Sequence, residues 1–216
     1  MKLFVFEHCP YCVRAMMLVG FKGLRVEKEI LQNDDVDARV AMVGANMVPI
    51  LQKADGSFMG ESLDIVAYLD AMDGEPVLID AEHEEAIKAW QGSVSFYANR
   101  LIYPRTVRLG LPEYATQAAI DFYTEKKSAL IEMSFDDALA HSGDYIANLE
   151  PLLSHLEFIA LPSERDDRLG YDDILLFPTL RNLTMVQGLE FPHRVRRYID
   201  EVARLTHVRL FDDAAL

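Results

Sequence analysis

Cysteine is scarce in this chain: there are two in 216 residues, and only two positions separate them. So few cysteines exclude a disulfide framework. With no secretory leader visible at the N-terminus, they point to a reducing compartment, the cytoplasm. Positive charge is also in short supply. Lys and Arg number 21 against 35 Asp and Glu, a formal net charge of −14. That sign argues against nucleic acid and anionic membrane as partners and accounts for solubility. No apolar run reaches the ~18 to 20 residues that cross a bilayer. Internal repeats and low-complexity segments are absent. Half of the residues are hydrophobic and about a quarter charged, the balance of an ordinary globular protein with room for one large domain or two smaller ones.

The two cysteines form the stretch Cys9-Pro10-Tyr11-Cys12. The preceding run, 2–6, is rich in Phe and Val and reads as a strand. Pro10 suits the first position of a helix, where a missing N–H costs nothing. Ala15, Met16, Val19 and Phe21 continue an apolar face until Gly20 and Gly23 close it. A second strand falls within 24–31, completing a βαβ unit with parallel strands. Asn33-Asp34-Asp35 predicts a helix start, with carboxylates where the dipole favours them, and Val43-Gly44 its end. A strand follows over 47–51, then a hairpin at Asp55-Gly56 into Ser57-Phe58-Met59. Ser62 is read as the cap of a helix carrying Ile65, Val66, Leu69 and Met72.

Asp73-Gly74-Glu75-Pro76 breaks the pattern, and strand signals then vanish. Helices are predicted over 84–103, with Pro104 ending or bending the first, and over 112–140, 144–159, 172–188 and 192–205. The polar stretch 162–168 reads as an exposed loop. The fourth of these helices has Asp173 for the acidic half of a capping box but Gly170 at the cap position, a deficit of a few tenths of a kcal/mol against Ser. Trp90, Tyr97 and the methionines are core. Arg100 and Arg105 are placed on a solvated helix face, and Arg194, Arg196 and Arg197 on an exposed basic one.

The chemistry of the cysteine pair is open to three readings: redox sulfurs, metal ligands or packing. A strand-to-helix turn is a poor place for inert cysteines. Structural zinc wants four ligands and the chain offers two thiolates, so no metal is expected. A cysteine attacks as its thiolate. At a helix mouth Cys9 meets unpaired N–H groups and the positive end of the dipole, and both lower its pKa. Cys9 is therefore the expected nucleophile and Cys12, one turn inward, the resolving thiol. His8 and Arg14 add positive field nearby.

Three motifs carry a family resemblance: the tetrapeptide, Val48-Pro49, and Glu61-Ser62. In that order and spacing they resemble a glutaredoxin built on the thioredoxin fold. The phrases Glu7-His8-Cys9-Pro10-Tyr11-Cys12, Met47-Val48-Pro49-Ile50-Leu51-Gln52-Lys53 and Phe177-Pro178-Thr179-Leu180-Arg181-Asn182-Leu183-Thr184 extend the likeness to the two-domain bacterial glutaredoxins. The resemblance implies an α/β thioredoxin-like N-terminal domain (βαβ-ββα) plus an all-α C-terminal domain, a glutathione S-transferase-like architecture. Its boundaries are 1–72, a linker over 73–81, and 82–216.

It also implies glutathione as co-substrate. Val48 pairs its backbone with the cysteinyl unit and Pro49, in a cis bond, packs beside the sulfurs. Ser62 holds the γ-glutamyl carboxylate and Glu61 its ammonium, while Tyr11 flanks the site. The glycyl carboxylate needs a further cation, and Arg14, Lys22 and Arg39 are the candidates. The implied activity is reduction of protein–glutathione mixed disulfides and protein disulfides by a monomer. The competing classes are a glutathione S-transferase, which needs no cysteine pair, and a non-catalytic interaction protein, against which both glutathione motifs argue.

Overall fold

The computed structural model describes residues 1–216. Its first part is a four-stranded sheet of β1 (Lys2–Val5), β2 (Glu27–Ile30), β3 (Ile50–Gln52) and β4 (Phe58–Met59) in the order β2-β1-β3-β4. β1 and β2 run parallel with Lys2 opposite Glu27, and β3 is antiparallel to both β1 and β4. The parallel pair requires a crossover, and helix α1 (Pro10–Phe21) supplies it. Two edge features stop further pairing. β2 carries Glu27, Lys28 and Glu29, and β4 is two residues long.

Helix α2 (Val36–Val43) starts as its sequence dictates: the Asp35 carboxylate accepts the Ala38 N–H at 3.1 Å, and Gly44 ends it at φ 74°. Helix α3 (Ser62–Ala71) does not. Glu61 occupies the cap position at φ 61°, and Ser62 is the first helical residue. The Ser62 hydroxyl is turned to Arg14, whose Nη1 donates to it at 3.2 Å. A glutamate with positive φ is a conformation that side chains disfavour, and such residues concentrate at working sites.

The second part is helical: α4 (Glu84–Thr106), α5 (Gln117–Ile131), α6 (Phe135–Ala140), α7 (Ser142–Leu153), α8 (Tyr171–Leu183) and α9 (His193–Thr206). α4 runs two residues beyond Pro104. The helix expected over 112–140 is three pieces. Pro112–Tyr114 is a single 3-10 turn, and Glu132 enters the left-handed region at φ 56° and closes α5. Ser134 then caps α6 by accepting the Asp137 N–H at 3.0 Å. The stretch 144–159 is α-helical to Leu153 and continues as a 3-10 turn over Ser154–Leu156, and 172–188 is α-helical only to Leu183, where Thr184 donates its hydroxyl to the Arg181 carbonyl. The polar segment 162–168 is tied down rather than free: Ser163 donates to Glu201, and Arg165 Nη2 donates to both carboxylate oxygens of buried Asp173.

Gly170 at the start of α8 has a physical explanation. The linker forms an isolated bridge there, with Tyr171 N–H donating to the Ile79 carbonyl at 2.9 Å. A Cβ at Gly170 would lie 3.0 Å from that carbonyl oxygen. The cap hydroxyl is given up for close approach of the linker, while Asp173 still accepts the Gly170 N–H at 2.7 Å.

The largest apolar cluster runs through both parts, from Leu3 and Val5 through Trp90 and Leu101 to Phe177 and Val202, with smaller ones around Tyr123 and around Phe6. Trp90 sits in it with its Nε1–H donated to the Leu152 carbonyl. Arg105, expected in solvent, is buried, and its guanidinium caps the Leu101 and Leu216 carbonyls and the Ser142 hydroxyl. The basic residues of α9 are paired, Arg194 with Glu164, Arg196 with Asp200 and Asp212, and Arg197 with Glu201. Such surface pairs contribute little each. No helix is long and apolar enough to cross a membrane.

The backbones of the two parts approach closely where α1 meets the end of α9. A Cβ on Gly20 would lie 1.8 Å from the Thr206 carbonyl oxygen. Gly20→Ala is therefore expected to destabilise the fold by about 3 kcal/mol, because backbone on backbone has no side chain to yield. Urea unfolding measures it, and an unchanged midpoint would contradict this contact.

Candidate functional site

Cys9 is the residue before α1, with extended backbone (φ −70°, ψ 120°), and its carbonyl accepts the Val13 N–H at 3.0 Å. Cys9 is half-buried, whereas Cys12 is fully buried and its sulfur accepts the Phe6 N–H at 3.4 Å. Both are free thiols. The environment splits their acidities. The Cys12 thiol donates to Cys9, and this together with the His8 field and the Cys12 and Tyr11 N–H groups outweighs burial and brings Cys9 down to about 6. Burial, with Cys9 beside it, pushes Cys12 well up. One sulfur is thus a thiolate at neutral pH and the other a proton donor to it.

This split makes a pH prediction. The Cys9 thiolate fraction rises through about 6, so alkylation of Cys9 by iodoacetamide should climb with pH and level off by neutrality. Absorbance at 240 nm should follow the same curve. An inflection near the unperturbed ~8.5 would remove the stabilisation argued here.

The loop before Cys9 is held from the helical part by residues that no local pattern singles out. Glu113, with no exposed surface, accepts the His8 backbone N–H at 3.1 Å and faces His8 Nδ1 at 2.7 Å. Burial raises its carboxyl pKa, but the His8 contacts outweigh that and leave it lowered. Tyr114 Oη lies 3.2 Å from His8 Nε2, and Tyr123 meets the ring edge-on at 5.3 Å. From α8, Arg181 donates to the Glu7 carbonyl at 2.6 Å and Asn182 to the His8 carbonyl at 2.7 Å. The Glu7 carbonyl and both backbone groups of His8 therefore have partners 105 to 174 residues away.

Cys9 opens on a cleft of about 610 Å³ between the two parts. Tyr11, Arg14 and Val48 line it beside Cys9, and Tyr103, Lys126 and Lys127 line it from α4 and α5. Tyr11 stands at the mouth, 54% exposed, with the Arg14 guanidinium 4.8 Å from its ring. The Val48–Pro49 peptide is cis, Val48 is in the cleft wall, and neither its N–H nor its C=O bonds to other backbone. Pro49 is buried behind it. Glu61 and Ser62 do not line the cleft, and Arg14 connects Ser62 to it.

The three cations considered for the glycyl carboxylate now differ. Lys22 is engaged with Asp70 and Asp73, away from the cleft. Arg39 is buried and spends its guanidinium on Asn46 and the Gln32 and Asn33 carbonyls. Arg14 lines the cleft with its Nε unpartnered.

A thioredoxin-like sheet with a Cys-x-x-Cys helix mouth, backed by an all-helical domain, defines a thiol-bearing protein of glutathione S-transferase-like architecture. Family models agree with this. The model described as glutathione S-transferase, N-terminal domain, matches residues 3–77, and that described as glutaredoxin 2, C terminal domain, matches 86–215. Glutaredoxin 2 of Escherichia coli K12 is 42% identical over the whole of both chains. A crystal structure of glutaredoxin 2 from Salmonella typhimurium in complex with glutathione superposes with a TM-score of 0.92 at 41% identity, covering 100% of this chain and 98% of that one. A glutathione S-transferase of Ceriporiopsis subvermispora shares the fold alone, with a TM-score of 0.69 at 13% identity over 97% of each chain. The chain belongs to the glutaredoxin 2 family.

Proposed function

We propose that this glutathione-dependent thiol oxidoreductase works with Cys9 as nucleophile and Cys12 as resolving thiol, on protein–glutathione mixed disulfides and protein disulfides. The observation that carries the reading is the inequality of the two sulfurs. Cys9 is accessible, with its thiol held at about 6, while Cys12 is buried and stays protonated. Cys9 thiolate attacks the glutathione sulfur of substrate–S–SG. The Cys9–SG bond forms, the substrate–SG bond breaks, and the substrate leaves as thiolate. A second glutathione thiolate then takes the first as glutathione disulfide and restores Cys9. With a protein disulfide, Cys9 attack leaves a Cys9–substrate disulfide. Cys12 then passes its proton to the departing substrate thiolate, and the Cys9–Cys12 bond forms as the Cys9–substrate bond breaks. Two glutathiones reduce that bond and leave as glutathione disulfide.

Glutathione is read as lying along Val48, whose two free backbone groups can pair with its cysteinyl unit. Pro49 packs behind and Tyr11 covers it. Its γ-glutamyl end reaches Glu61 and Ser62, and Arg14 is the cation for a carboxylate. The reading is of a cytoplasmic monomer divided into 1–72, a linker over 73–81 and 82–216. Family-model limits at 77 and 86 support that division. The test is reduction of hydroxyethyl disulfide with glutathione, glutathione reductase and NADPH. Turnover is expected. Conjugation of chlorodinitrobenzene that survives loss of Cys9, with no disulfide reduction, would replace this reading by a transferase.

A further inference from the structure

The chain carries a net charge of −14, yet no Asp or Glu lines the cleft in front of Cys9. Its charged lining is Arg14, Arg39, Lys126 and Lys127, with His8. Glu113 contacts His8 and is spent on it. Arg39 is consumed by its own hydrogen bonds. Lys126 and Lys127 are different, because neither has a carboxylate within ion-pair distance. The Lys127 ammonium instead sits 4.5 Å from the Tyr103 ring centre and 5.8 Å from that of Tyr123. The aromatic faces hold it without neutralising it. Beside it, the buried Tyr123 hydroxyl has no hydrogen-bond partner.

Placement gives these lysines a role. Thiol–disulfide exchange is an in-line displacement, so the departing sulfur leaves on the side of the glutathione sulfur opposite Cys9. With glutathione along Val48, that direction leads to the facing wall, which α4 and α5 supply. Cys9 and Tyr11 share one cleft with Tyr103, Lys126 and Lys127. A leaving half that departs across the cleft meets the wall to which Tyr103, Lys126 and Lys127 contribute.

We infer that Lys126 and Lys127 select the substrate's leaving half, favouring polypeptides that carry carboxylates beside the glutathionylated cysteine. The inference rests on the oxidoreductase reading and adds its substrate class. In the exchange itself nothing changes: the substrate–SG bond breaks, the Cys9–SG bond forms, and the lysines stabilise the negative chain that departs as thiolate. Unpaired lysines in a cleft without acids attract such a chain over a Debye length of about 8 Å at physiological salt, so the preference weakens as salt rises.

The test compares three glutathione mixed disulfides: that of 2-mercaptoethanol, that of a cysteine peptide flanked by Asp and Glu, and that of the same peptide with Lys flanks. The wild-type chain should show kcat/KM about tenfold higher for the acidic than for the basic peptide at low salt, shrinking towards parity near 0.5 M NaCl. In Lys126→Gln/Lys127→Gln the acidic-to-basic ratio should fall by about tenfold, to near parity, with the neutral disulfide little changed. Equal rates for both peptides, or a ratio unmoved in the double variant, would overturn the inference. So would a variant whose only change is a higher KM for glutathione with every substrate, since the lysines would then serve the reductant. Failure to turn over even the 2-mercaptoethanol disulfide would instead count against the oxidoreductase reading. Circular dichroism and thermal unfolding of the variant separate these outcomes from misfolding.

Discussion

Cys9→Ser is expected to lower glutathione-linked disulfide reduction by on the order of 10³-fold or more, because a serine hydroxyl is not ionised at neutral pH and cannot replace a thiolate. Cys12→Ser should behave differently. It leaves the Cys9–SG intermediate open to a second glutathione, so turnover of mixed disulfides persists, while reduction of protein disulfides through an intramolecular step is lost. The removed thiol is also the leading hydrogen-bond donor to Cys9, so the Cys9 inflection should move up in that variant. Serine donates too, which limits the move, and Cys12→Ala should show it in full. Parallel rates for the two single serine variants on hydroxyethyl disulfide would sink the assignment of unequal roles.

The second large effect falls on a residue that touches neither sulfur. Glu113→Ala is expected to cost about 3 kcal/mol of stability, since it strands a buried imidazole and the His8 backbone N–H together. The same residue predicts an acid limb. Its folded pKa is depressed below the ordinary 4.5, so its contribution is complete at neutral pH. The contribution is lost as pH falls below that ordinary value and through the folded one. Urea unfolding at pH 7 and pH 4 should show wild type losing stability on acidification, and Glu113→Gln losing less. Equal midpoints for wild type and Glu113→Ala at pH 7 would mean that the His8 pair holds nothing in place.

Local rules carried a good deal. Pro10 as a first helical residue, Asp35 as a cap and Gly44 as a left-handed stop were legible because each acts within four residues. The break between α5 and α6 was missed, although Ser134 with Asp137 three positions on is a local signal for it. A continuous apolar period across 112–140 masked it, and Glu132 in the left-handed region gives no composition signal. Ser62 was mistaken for a cap because Glu61, with positive φ, is not a residue that patterns place there.

Sequence alone determined the sheet-then-helices order, the Cys9-Pro10-Tyr11-Cys12 helix mouth and the inequality of its sulfurs, since strand period, proline chemistry and helix-end electrostatics are all short-range. Only the tertiary structure decided what holds that mouth in place and what faces it. Glu113, Arg181 and Asn182 reach Glu7 and His8 across more than a hundred residues. Arg39 and Arg105 look like surface cations in the string and are buried in the fold. Whether a charge is spent on a buried carbonyl or left free in a cleft depends on which helices pack together. Core burial integrates that over the whole chain, so no window of neighbouring residues contains it.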